Sequence, residues 1–161
     1  MRRMAMSTLP VAVLFILGLA AGVAYAPYHT SPTPPSPPPS PSGASGLGAA
    51  KAQAKTAAAH AGYAAGGETV SFAKEHLGEA LVCIEGAKGK NVKAAWENPC
   101  KGMGGGVLTD LQRANASASL IQKATTADTT AVAAMTSTSL AQIKAAAKQV
   151  STLMQQIAQA K

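Results

Sequence analysis

The stretch "TVSFAKEHLGEALVCIEG", residues 69 to 86, decides the fold. Val70, Ala73, Leu77, Ala80, Leu81 and Ile84 recur at three- and four-residue steps, the spacing of one apolar stripe along an α-helix. Thr69 is a side-chain cap for its start, and the helix is expected over Val70 to Glu85. The surrounding composition agrees. Alanine, lysine and glutamine abound while aromatic residues make up only 4% of the chain, which favours helix over strand.

Working outward, "AAKAQAKTAAAHAGYAA" (49–65) predicts a helix before this one, stopped at Gly66-Gly67. Its inward face is nearly all alanine, so it packs closely and buries little area. A third helix is expected over 107–124, with Val107, Leu111, Ala114, Ala118 and Ile121 inward. A fourth, capped by Asp128 or Thr129, runs to the C-terminus through Val132, Leu140, Ile143, Ala147, Val150, Met154 and Ile157. Hydroxyl competition for backbone bonds at "TSTS" (136–139) marks a point where it can break. Short connections between helices imply antiparallel neighbours. The expected fold is therefore all-α, a small up-and-down antiparallel helical bundle over residues 49–161.

Two segments precede the bundle. Arg2 and Arg3 lead into an uncharged run from Met4 to Ala26. At ~1.5 Å per residue it is long enough to cross a hydrocarbon core of ~30 Å. Residues 1–26 read either as a cleaved signal peptide, with Ala24-Tyr25-Ala26 as the cleavage motif, or as a retained membrane anchor. Pro27 is unfavourable just after a cleavage point, which leaves cleavage after Ala24 as another option. Both readings export the rest of the chain to the periplasm or beyond, with residues 4–26 holding it to the inner membrane if uncleaved. Residues 27–48 form a proline-, serine- and glycine-rich linker. Seven of the ten residues from Pro32 to Pro41 are proline, which favours extended polyproline II and a semi-rigid spacer.

The two cysteines, Cys83 and Cys100, lack C-x-x-C and C-x-x-C-H spacing, so thioredoxin-type exchange and covalent haem attachment have no motif. In an exported chain such a pair is expected to bridge. Closing this loop stabilises by about 3 kcal/mol in the chain-entropy model.

The formal net charge is +7, two units of which belong to Arg2 and Arg3. Lys88, Lys90, Lys93 and Lys101 gather near the cysteines as a basic patch suited to an anionic surface or an envelope protein. Nucleic acid is not an expected partner, because the compartment is wrong and Trp96 is the only aromatic residue among those lysines. His60 and His76 fall near one another if the first two helices form a hairpin. That permits a site for a transition metal or a non-covalent haem, but does not require one. Glu75 and Glu79, one turn apart, are expected on the polar side. Catalytic motifs such as G-x-S-x-G, HExxH or a phosphate-binding loop are missing from the sequence, so no enzymatic activity is expected.

The segments "AHAG" (59–62), "EHLGEALVCIEG" (75–86) and "NPCKGMGGG" (98–106), in that order, resemble a group of small exported bacterial helical proteins without an assigned activity. The resemblance covers roughly residues 57–111. It implies the Cys83–Cys100 pair as a structural bridge. Those proteins carry further histidines just after the His-Leu pair, where this chain has Gly78 and Glu79. A histidine-rich metal or haem site is what the resemblance suggests for that region. The functional expectation is an exported, non-enzymatic helical protein with a binding or structural role in the periplasm or cell envelope and no cofactor. The alternative is a small metal- or haem-binding protein using His60 and His76.

Overall fold

A computed structural model describes residues 46–161. The expected signal or anchor segment and the proline-rich stretch up to residue 45 lie outside the described residues. Within them the chain is all-helical: α1 (Leu47–Gly66), α2 (Val70–Glu85), α3 (Val107–Arg113), α4 (Ala118–Thr136) and α5 (Leu140–Ala158). None of these helices is long and apolar enough to cross a membrane.

The alanine face of α1 organises the bundle. Ala50, Ala54, Ala57, Ala61 and Ala64 are buried at helical spacing. With no side chain beyond Cβ, they let the larger residues of α2 and α5 approach the helix closely. Leu77, Leu81 and Ile84 come from α2, and Ile143, Val150, Met154 and Ile157 from α5, all fully buried in the same core. Helix α4 repeats the device with Ala124, Ala127, Ala131 and Ala134 and packs on α5. Ser151 of α5 donates to the Ala58 carbonyl of α1 at 2.9 Å, satisfying a buried hydroxyl where the helices touch.

The helix expected over 107–124 is two helices. Asn115 takes a left-handed conformation (φ 47°), which asparagine tolerates better than most residues, and the chain turns there. Ser117 then caps α4 by accepting from the Leu120 amide at 3.4 Å. Neither Asp128 nor Thr129 starts a helix, because both lie inside α4. The threonines there do not interrupt it. Thr125, Thr126 and Thr129 donate to the carbonyls of Ile121, Gln122 and Thr125 at 2.9–3.0 Å, four residues back. The break at "TSTS" is real, and Ser139 caps α5 through the Gln142 amide.

Residues 87–106 connect α2 to α3 through a series of tight turns. Three features pin this segment. The Cys83–Cys100 disulfide is formed, with Cα atoms 5.4 Å apart. Gly86 and Gly106, both at positive φ, bring the two ends of the loop into backbone contact, where a Cβ on either would strike the other strand of the loop. The Trp96 indole lies directly against Gly78 of α2, in space a side chain there would occupy.

Glu85 also anchors the loop, its two carboxylate oxygens accepting from the Asn91 side chain at 2.6 Å and the Asn91 amide at 3.0 Å. Nearby Asp128 of α4 has its Oδ1 sealed from solvent without a hydrogen-bond partner. Burial, then a hydrogen bond to Glu85 and the charge of that residue, raise the Asp128 pKa to about 6, against the opposing charge of Lys90. Between pH 3.8 and about 6 the native chain therefore keeps a proton on Asp128 that the unfolded chain has released. The stabilisation is whole below the unfolded value of 3.8 and is lost as pH rises through about 6. The Asp128→Asn variant is expected to exceed the parent in stability at pH 8 by on the order of 1 kcal/mol, a value reduced for partial exposure. Near pH 4 the two should converge. Thermal melts of both proteins at the two pH values check this.

Candidate metal centre

Three residues, two helices and one carboxylate oxygen make the site. His60 belongs to α1, and His76 and Glu79 to α2, three residues apart and so neighbours on one face. The α1–α2 hairpin, closed by Gly67–Thr69, sets α1 beside α2 in the register that delivers His60 to that face. Glu79 Oε2 then lies 2.8 Å from His60 Nδ1 and 2.5 Å from His76 Nδ1. One donor atom from each of the three lies within 4.8 Å of the other two.

Burial differs between the members. The Glu79 side chain is only 5% exposed, while the imidazoles are 21% and 22% exposed. A carboxylate at that depth is costly unless its lone pairs are used. Here two ring nitrogens converge on one oxygen. A carboxylate oxygen accepting from two Nδ1–H groups satisfies such an arrangement. Aromatic rings frame the cluster. Tyr63 stands edge-on to His60 and His76, at centroid distances of 5.6 and 5.5 Å, and Phe72 stands 4.4 Å from His76. Tyr63 and Phe72 are the exposed large hydrophobic residues among the described residues, and both border this site.

Two imidazole nitrogens and a carboxylate oxygen form a donor set suited to a transition-metal ion. A tetrahedral ion with bonds of about 2.0–2.2 Å holds its ligand atoms a little over 3 Å apart. The two nitrogen–oxygen separations, 2.8 and 2.5 Å, are shorter than this, while all three donor atoms lie within 4.8 Å of one another. A small outward rotation of the part-exposed rings makes the room, and the ion takes the place of the two ring protons. A haem is a poorer match, since the shared carboxylate oxygen occupies the point between the rings where an iron and its macrocycle would enter.

The other expected site residues fall elsewhere. Lys88, Lys90, Lys93 and Lys101 are all exposed, and Lys93 sits 5.4 Å over the Trp96 ring as a cation–π contact. Glu75 is exposed as expected, but Glu79 is not on the polar side. The reason is the crossing of α1, whose His60 covers the position. Nothing within α2 signals this, because position 79 borders the apolar stripe on its own helix and only the register of α1 decides its surroundings.

A second buried polar cluster escaped the sequence reading altogether. Gln53 Nε2 donates to Asp110 Oδ2 at 2.7 Å and to the Ala49 carbonyl at 3.1 Å, and Gln53 Oε1 accepts from the Gly106 amide at 2.9 Å. Asp110 Oδ2 also accepts from the Gly105 amide at 3.0 Å. These bonds tie the glycine-rich segment to α1 and α3, and Arg113 lies 3.8 Å from the other Asp110 oxygen, Oδ1. A depression of about 650 Å³, lined by Asp110 itself together with Gly46, Gly104 and Arg113, opens there and does not include the histidines. Comparison of the chain with protein-family models, with curated proteins and with solved structures finds no match.

Proposed function

We propose that this chain is an exported, non-enzymatic helical protein, an up-and-down bundle that binds one transition-metal ion through His60, His76 and Glu79. The observation that carries this reading is the convergence of two imidazoles from different helices on a single buried carboxylate oxygen. Export is supported by the charge-flanked apolar run at the N-terminus and by a disulfide, a bond that persists in oxidising compartments. The composition of residues 27–48 is that of a linker between the N-terminal segment and this domain. The exposed lysines of the α2–α3 connection give it a basic face toward an anionic envelope surface or partner.

One observation favours a purely structural reading: Glu79 Oε2 already has two partners within the protein, the imidazoles of His60 and His76. The two readings part on ligand-dependent stability. A bound ion stabilises the folded chain by RT ln(1 + [L]/Kd), about 2.7 kcal/mol at a hundred times Kd. Adding Zn²⁺ to metal-free protein should raise the melting temperature and titrate to one ion per chain by calorimetry. His76→Ala and Glu79→Gln should each weaken that binding by about a hundredfold and abolish the thermal shift. If Zn²⁺ leaves the wild-type melting temperature unchanged while His76→Ala lowers it, the cluster is a structural hydrogen-bond network.

A further inference from the structure

The identity of the ion follows from a residue outside the cluster, and the inference rests on the metal-binding reading just given. Met103 Sδ lies 3.7 Å from Thr56 Oγ1. Thr56 and His60 are four residues apart on α1, so their side chains are neighbours on one face. Side chains on a helix lean toward its N-terminus, which carries the His60 imidazole over the turn that holds Thr56. The sulfur thus touches α1 one helical turn from His60.

The fold delivers it there by a specific route. The Met103 amide donates to the Cys100 carbonyl at 3.0 Å, closing a turn directly after the disulfide. Cys100 is bonded to Cys83, which lies one helical turn beyond Glu79 on the face of α2 that meets α1. Met103 is half-buried. Its contact with Thr56 is weak, since that hydroxyl also reaches its own helix at the Ala52 carbonyl. Three rotatable bonds leave the thioether free to change its position.

We propose that Met103 Sδ completes the donor set and makes the site selective for Cu(I). A thioether is a soft ligand that strengthens cuprous binding and adds little to zinc, which takes imidazole and carboxylate equally well without it. The bridge between Cys83 and Cys100 then has a role beyond stability, because it holds the methionine-bearing turn against α1.

The test is a competition titration of the full chain against a chromophoric Cu(I) chelator, under anaerobic conditions with ascorbate, which spares the disulfide. Zn²⁺ affinity is measured in parallel. Met103→Leu, close in volume and equally apolar, should weaken Cu(I) binding by about ten- to a hundredfold, the range for losing a contact that tunes a metal site, and leave Zn²⁺ binding unchanged. X-ray absorption at the copper edge should show a sulfur neighbour at about 2.3 Å in the wild type and none in the variant. Equal Cu(I) affinity in the two proteins would overturn the role of Met103 while leaving the cluster as a metal site. A parallel fall in Cu(I) and Zn²⁺ affinity would also overturn it, by showing that Met103 acts through the loop. Failure of the wild type to bind either ion would sink the underlying reading itself.

Discussion

Replacing both bridged cysteines, as Cys83→Ser/Cys100→Ser, is expected to lower the unfolding free energy by about 3 kcal/mol. The bond joins positions 17 residues apart and constrains a segment with no helix of its own. In the chain-entropy account, removing it enlarges the unfolded ensemble by the freedom of that loop. The loss is large here for a structural reason. The faces of α1 and α4 are lined by alanine, and each buried alanine contributes far less apolar area than a leucine or isoleucine. Domains of this size have about 5–15 kcal/mol in all. The serines also leave two hydroxyls where Cys83 and Cys100 are buried, at 0% and 4% exposure, which adds to the cost. Urea unfolding of the variant and the parent measures the difference. A loss under about 1 kcal/mol would mean that Trp96 and the Gly86–Gly106 contact hold the loop unaided.

The second large effect is expected at Gly78. A Cβ at this position falls on the indole of Trp96, against Cδ2, Cε2 and Nε1. The ring cannot step aside easily, because its loop is fixed by the disulfide on one side and by Gly86 and Glu85 on the other. Gly78→Leu should expel Trp96 from its seat at a cost of about 3 kcal/mol, combining overpacking with loss of the part-buried indole's packing. Gly78→Ala should cost less, since better helix propensity returns up to about 1 kcal/mol. Trp96 is the only tryptophan in the chain, so its emission reports the displacement directly as a red shift. An unshifted spectrum in Gly78→Leu, with parental stability, would contradict the packing described.

Gly78 and Glu79 also show how far the sequence could be read. Helix α2 was legible nearly to the residue, because Thr69 and the apolar stripe are local signals that agree with one another. The disulfide followed from the compartment inferred for the chain, and the proximity of His60 to His76 followed from a hairpin closed by two glycines. Glu79 was misplaced because a carboxylate beside an apolar stripe is ordinarily solvated. Its burial depends on where another helix crosses. Gln53 and Asp110 were invisible for the same reason: a glutamine in an alanine- and lysine-rich helix looks like surface until its partner, 57 residues away, is brought to it. The turn at Asn115 was missed because the apolar spacing runs on past it. There the left-handed asparagine and the Ser117 cap prevail over periodicity.

The central claim is that His60, His76 and Glu79 bind one metal ion together. Cobalt(II) substitution tests it most directly, because the visible spectrum of this ion reports its coordination. Full-length protein with its disulfide intact should take up one cobalt ion per chain and develop the intense bands of a four-coordinate site. Those bands should vanish in His60→Ala and in Glu79→Gln. A spectrum no different from cobalt in buffer, or one unchanged by either substitution, would show that the two imidazoles and the carboxylate serve each other alone.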